Sequence, residues 1–169
     1  GKFFHTKSLH FGAFPIALFS AIRDIFPEEK NFIFLDITGE ATDVSYVKND
    51  LIIDTQSFHC GKNFFIREIS TYFKTHETEA ATLFKMFLEG TLDKKMQSDL
   101  SKVIVQISAE WAIRFEKSLT KFSKFGVLPK IVFFTSDDDV APLFKNLIKN
   151  TRLSTLSRSN FEASYFDQY

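Results

Sequence analysis

Disulfide chemistry is the first thing excluded. The 169 residues hold one cysteine, Cys60, which has no partner for an internal bridge and cannot build a zinc site. Long hydrophobic runs are missing as well. The longest, such as Phe32–Leu35 and Leu51–Ile53, are strand-sized, far short of the roughly 18 to 20 residues a membrane-spanning helix needs. Neither sign of charge is in excess, with Lys plus Arg and Asp plus Glu at 21 each. A protein that grips nucleic acid through its phosphates carries a basic surplus, so nucleic acid is not among the expected partners. The N-terminal residues lack the basic, apolar, then small-residue order of a secretory signal. The expected compartment is a reducing cytoplasm. Gly1 stands where a methionine opens a full translation product, so the sequence reads as a trimmed or processed piece.

Phenylalanine is what the chain has in abundance: 22 residues against one tryptophan. Its ring supplies large apolar area with no polar handle. The excess reads as core filling, with some left over for a partner surface. At 44% hydrophobic and 25% charged residues, the composition is that of an ordinary globular chain. The length suits one domain with a real core.

Apolar spacing then divides the chain. The first ten residues alternate weakly, as an edge strand would. Phe14, Leu18, Ala21, Ile22 and Ile25 recur at helical spacing, with Pro15 in the first turn and Pro27 past the end. Asn31–Asp36 is an apolar run ending in an acid, as in a strand buried on both faces. Thr38–Ala41 reads as a tight turn. Thr42–Lys48 alternates, Asn49-Asp50 turns, and Leu51–Phe58 is the third strand of a meander. Helices are predicted over Asn63–Lys74, Glu77–Glu89 and Lys95–Lys124. The last carries the stripe Leu100, Val103, Ile104, Ile107, Trp111, Phe115, Leu119 and Phe122. Lys130–Thr135 is a second buried-type strand and Val140–Lys149 a helix. Residues 151–169 form a C-terminal edge segment or tail. Three meander strands followed by helix, strand and helix predict an α/β fold, a mixed sheet with flanking helices.

The histidines suggest little chemistry. His59 and Cys60 are neighbours on extended chain, where side chains point to opposite faces and do not pair. His5, His10 and His76 have no ligand spacing. Asp137–Asp139 reads as a solvated turn whose aspartates cap the helix that follows.

The run Asp36-Ile37-Thr38-Gly39-Glu40-Ala41-Thr42-Asp43, set between two strands, resembles the second phosphate-binding motif of the actin, Hsp70 and sugar-kinase superfamily. Val44–Phe58 and the Gly61-Lys62-Asn63 helix start are similar to the same region of the cell-division protein FtsA and the pilus protein PilM. So are Pro15-Ile16-Ala17 upstream, and Ile131–Thr135 with Pro142-Leu143 downstream. The resemblance covers roughly residues 10–150. It implies a ribonuclease-H-like fold, one lobe of an actin-like ATPase, over residues 1–150.

The resemblance also implies a nucleotide site. Asp36 would hold a hydrated magnesium ion, Gly39 would let backbone amides approach phosphate, and Thr42 would donate a hydroxyl. Thr38 stands where the family has glycine. Ser136, with Asp137–Asp139, replaces its glycine-rich adenosine turn, and acids there repel phosphate. Lys85 alone remains of the ribose-gripping pair, with Thr82 at the glutamate position. The superfamily's first phosphate motif and first lobe are not among these residues, and its nucleotide lies between lobes. The function implied is an FtsA- or PilM-like cytoplasmic adaptor in the assembly of cell-division or pilus machinery. Its partners would be proteins of a membrane-associated assembly or further copies of itself. ATP and magnesium would be bound weakly or not at all, with no hydrolysis by this chain alone. The rival readings are an interaction scaffold that binds no nucleotide and, last, a sugar-kinase-type phosphotransferase.

Overall fold

Every residue of Phe32–Ile37 is buried, as a strand covered on both faces must be. This strand, β1, lies at the centre of a computed structural model that describes residues 13–151 and 160–166. The edge strand expected within the first ten residues lies outside the described residues. Before β1 comes α1 (Ala13–Ile25), and after it β2 (Thr42–Lys48) and β3 (Leu51–Phe58) complete the meander. Asn49 and Asp50 turn between β2 and β3 with φ of 50° and 62°. Two positive values in a two-residue loop match the twist of the paired strands.

Three helices follow: α2 (Lys62–Phe73), α3 (Glu77–Glu89) and α4 (Lys94–Phe122). Asp93 starts α4 by accepting the Lys95 and Met96 amides, each at 3.0 Å. The helix ends two residues earlier than expected because Ser123–Phe125 tightens into a 3-10 turn before Gly126. Then come β4 (Ile131–Thr135), α5 (Ala141–Asn150) and β5 (Glu162–Tyr165). β5 comes from the C-terminal segment, which was read as an edge strand or a tail.

The sheet order is β3-β2-β1-β4-β5. β1–β2 and β2–β3 are antiparallel, while β1–β4 and β4–β5 are parallel. Alternate residues of β1 therefore serve two cores. Ile33, Leu35 and Ile37 join the α2, α4 and α5 side, where all eight residues of the expected α4 stripe are buried. Phe32 and Phe34 face Leu18 and Ile22 of α1. Phenylalanine fills both: Phe65 stacks on Phe84 with ring centroids 5.6 Å apart, and Phe32 meets Phe133 edge-on at 5.3 Å. The fold is α/β, a mixed sheet with helices on both faces.

Candidate functional site

In open α/β sheets, ligands sit at the carboxyl ends of parallel strands. Here those ends belong to β1 and β4, where Asp36 is in register with Thr135. Asp36 is buried and stands directly opposite Asp43 on β2, so both carboxylates occupy one face of the sheet. Burial, with the Asp43 charge added, pushes the Asp36 carboxyl up to about 6.

The turn after Asp36 is closed by its own groups. Thr38 N–H donates to Ala41 O at 2.9 Å. The Thr38 hydroxyl donates to Ala41 O and accepts the Ala41 amide, both at 3.1 Å. The turn then rests on the start of α2. Lys62 N–H donates to Thr38 O at 3.2 Å and Asn63 N–H to Gly39 O at 2.7 Å, so carbonyls rather than an anion receive these amides. A Cβ on Gly61 would lie 2.1 Å from Thr38 O, a backbone atom, so that position is held to glycine by close approach. One on Gly39 would lie 2.9 Å from Asn63 Nδ2, a side-chain end that can turn aside. Glu40 accepts Asn63 Nδ2 at 2.8 Å and Arg67 Nη1 at 2.9 Å. These bonds hold its carboxyl below the usual range.

Thr42 does not join Asp36. In the β1–β2 register Thr42 is opposite Ile37, so it faces the α4 side while Asp36 faces α1. Its fully buried hydroxyl donates to Cys60 O at 2.8 Å and accepts Trp111 Nε1 at 3.1 Å. Its one proton is thus engaged by Cys60 O, on the side away from Asp36. Cys60 below it is buried too, and that burial pushes its thiol up to about 12, so it is no nucleophile. Lys85 lies on the exposed surface of α3, 3.9 Å from Glu89, and no hydrogen bond or ion pair joins it to the β1–β2 turn. Thr82 donates to Thr78 O within the same helix.

Ser136 directly follows β4 and is buried. Its hydroxyl donates to Asp137 O at 3.1 Å, and its carbonyl accepts the Tyr165 hydroxyl at 3.1 Å. The acidic turn beyond it does not cap α5 with a side chain as expected; Val140 occupies that position. Instead Asp137 and Asp139 turn to Lys62, whose Nζ lies 3.0 Å from Asp137 Oδ2 and 2.8 Å from Asp139 Oδ2. Burial pulls the Lys62 ammonium down, but bonds to Asp139 and Asp137 outweigh it and hold it above the ordinary lysine range. Asp138 accepts from the Tyr165 hydroxyl. Lys62 is the residue that sequence reasoning missed. Its one signal was its place after Gly61, because its partners lie 75 and 77 residues downstream.

The structure thus brings Asp36, Thr38 and Gly39 to one corner, joins that corner through α2 to the turn holding Ser136, and leaves Thr42 and Lys85 outside. The Asp36–Asp43 pair suits magnesium in kind, since that ion takes one or two carboxylates together with phosphate oxygens. Among the described residues, no group of three or more His, Cys, Asp or Glu is placed to hold a metal unaided.

The strand order and flanking helices are those of one lobe of the actin-like ATPase fold. Three solved structures share it. The ethanolamine utilization protein EutJ from Carboxydothermus hydrogenoformans matches with a TM-score of 0.59 and 16% identity, over 86% of this chain and 47% of its own. PilM, in a PilM–PilN type IV pilus biogenesis complex, matches with a TM-score of 0.59 and 14% identity, over 87% of this chain and 40% of that one. MreB 5 of Spiroplasma citri bound to AMPPNP matches with a TM-score of 0.56 and 12% identity, over 88% and 51%. At such identities the likeness is one of fold alone, and the chain spans about half or less of each neighbour. No protein-family model and no curated protein sequence matches it.

Proposed function

We propose that this chain is a docking lobe: an actin-like module that serves as an adaptor between protein partners and has lost productive nucleotide binding. One observation carries the reading. Lys62 bridges Asp137 and Asp139 at 3.0 and 2.8 Å, joining the α2 start to the β4–α5 turn across the carboxyl ends of the parallel strands. An incoming phosphate meets carboxylates that already hold Lys62. With Thr42 turned to the opposite face and Lys85 on the exposed surface of α3, the corner lacks two of its expected ligand groups. PilM, one of the fold neighbours, is seen in complex with PilN, and an adaptor in pilus or cell-division assembly is the finer form of the proposal. Its place would be the cytoplasm, with membrane association through partners. Among the described residues, no helix is long and apolar enough to cross a membrane.

A second reading keeps the nucleotide. The Asp36–Asp43 pair favours it, because two carboxylates on one face could hold a magnesium ion that carries ATP, with another lobe supplying the rest. Sedimentation and gel filtration with and without AMPPNP and magnesium separate the two. The docking-lobe reading expects the same oligomeric state in both conditions. Assembly that appears only with the nucleotide analogue overturns it.

A further inference from the structure

Away from the β1–β2 turn, β3 is the outer strand of the sheet. An outer strand presents unpaired backbone N–H and C=O groups to any chain that can lie beside it. Eight residues long, β3 exposes Leu51 and Ile53. Its middle is guarded by its own side chain, since Asp54 accepts the Thr55 amide at 2.9 Å and Gln56 Nε2 at 3.3 Å. The remaining portion, Gln56 to Phe58, forms one wall of a groove of about 420 Å³ whose other wall is α4. Ile113 gives the α4 wall an exposed apolar patch.

Charge on that wall is mostly basic. Glu110, Arg114, Lys117 and Lys121 follow at intervals of four, three and four residues, which aligns them along one helix face. Arg114 takes Glu110 as its partner and also donates to His59 O at 3.4 Å. Lys121 donates only to the neutral Gln56 Oε1, at 2.8 Å. Lys117 is exposed and, among the described residues, has neither a hydrogen bond nor an ion pair. Two ammonium groups thus stand beside an open strand edge, and among the described residues neither forms an ion pair with a carboxylate.

We propose that the β3–α4 groove docks an extended acidic segment of a partner protein, which lies along Gln56–Phe58 as an added strand and sets carboxylates on Lys117 and Lys121. The proposal names the partner chemistry for the docking-lobe reading and rests on it. A strand edge takes extended main chain, the lysines select acidic side chains, and Ile113 offers contact to an apolar residue between them. A polyphosphate meets the lysines alone and leaves the edge and Ile113 unused.

The test is fluorescence anisotropy with a labelled peptide of alternating glutamate and valine, titrated with the full chain. Expected are saturable binding that weakens as salt rises, and a loss of about tenfold or more in K117E/K121E. A matching loss is expected when the peptide's glutamates become glutamines. Lys117→Ala, where the side chain has no partner to lose, gives a smaller loss in the same direction and keeps the test valid should the double variant fold poorly. No binding at millimolar protein, equal binding of both peptides, or polyphosphate binding in place of the peptide overturns the proposal. Titrating ATP with magnesium into the same samples separates the two claims. Nucleotide binding sinks the docking-lobe reading, while a failed peptide with no nucleotide binding sinks the groove alone.

Discussion

Replacing Thr42 with valine would leave Cys60 O and Trp111 Nε1 buried without partners, since one hydroxyl serves both. Leaving buried polar groups unpaired costs about 2 to 4 kcal/mol for the two together. Thr42→Ser keeps both bonds and loses only a methyl, about 1 kcal/mol. Urea denaturation measures the difference, and Trp111, the chain's one tryptophan, reports it as an emission shift in the valine variant alone. Asp36 makes the opposite prediction. Its folded carboxyl titrates near 6 because burial, then Asp43, opposes the charge. Ionisation therefore weakens the fold as pH rises through that value, and below about pH 4 the penalty is absent. Asp36→Asn should stabilise the chain by about 1 to 2 kcal/mol at about pH 8, screening included, with the gain vanishing near about pH 4. A denaturation series across pH in which the gain grows toward acid would contradict this. Asp36 was legible because an acid closing an apolar run is conspicuous. The facing of Thr42 was not. A strand's parity can be counted within the strand, but the four-residue turn between β1 and β2 resets it, and only the Ile37–Thr42 register shows which side Thr42 takes.

At the scale of elements, the start of α2 is what binds the two turns together. Gly61 lets the β1–β2 turn sit directly on it, and a methyl there would meet Thr38 O at 2.1 Å and Gly39 O at 2.7 Å. Backbone cannot swing aside as a side chain can. Gly61→Ala should cost about 3 kcal/mol, read from the urea midpoint. Lys62→Met removes the bridge to Asp137 and Asp139 instead. Both aspartates are well exposed, so the loss is only about 0.5 to 1 kcal/mol. Its sharper sign is faster hydrogen exchange across residues 137–141, with the difference from the parent chain fading in about 1 M salt. Equal exchange in both proteins would mean the bridge holds nothing in place. The elements themselves were largely legible, because α4 writes its buried stripe at helical spacing and β1 writes a run with no polar interruption. The Lys62 bridge was not legible. Aspartates before a helix look like caps, and nothing local announces a lysine from another element that claims them first.

For the whole molecule, a meander followed by helix, strand and helix pointed to a mixed sheet. The sequence pattern did not determine that β4 and β5 would both run parallel to β1, nor that α1 would pack on the face opposite α2, α4 and α5. Those follow from long-range packing, such as Phe32, Phe34 and Phe133 against Leu18 and Ile22. The result is a lobe with the actin-like fold that carries Asp36 and Gly39 at its strand ends and a Lys62 bridge to Asp137 and Asp139 beside them. In the proposed docking role that bridge bars nucleotide. The most direct test of that account is a calorimetric titration of ATP with magnesium into the chain, repeated with Asp36→Ala. The account predicts no saturable heat at millimolar nucleotide in either protein. Saturable binding by the parent chain that disappears in Asp36→Ala would contradict it and show the corner open and in use.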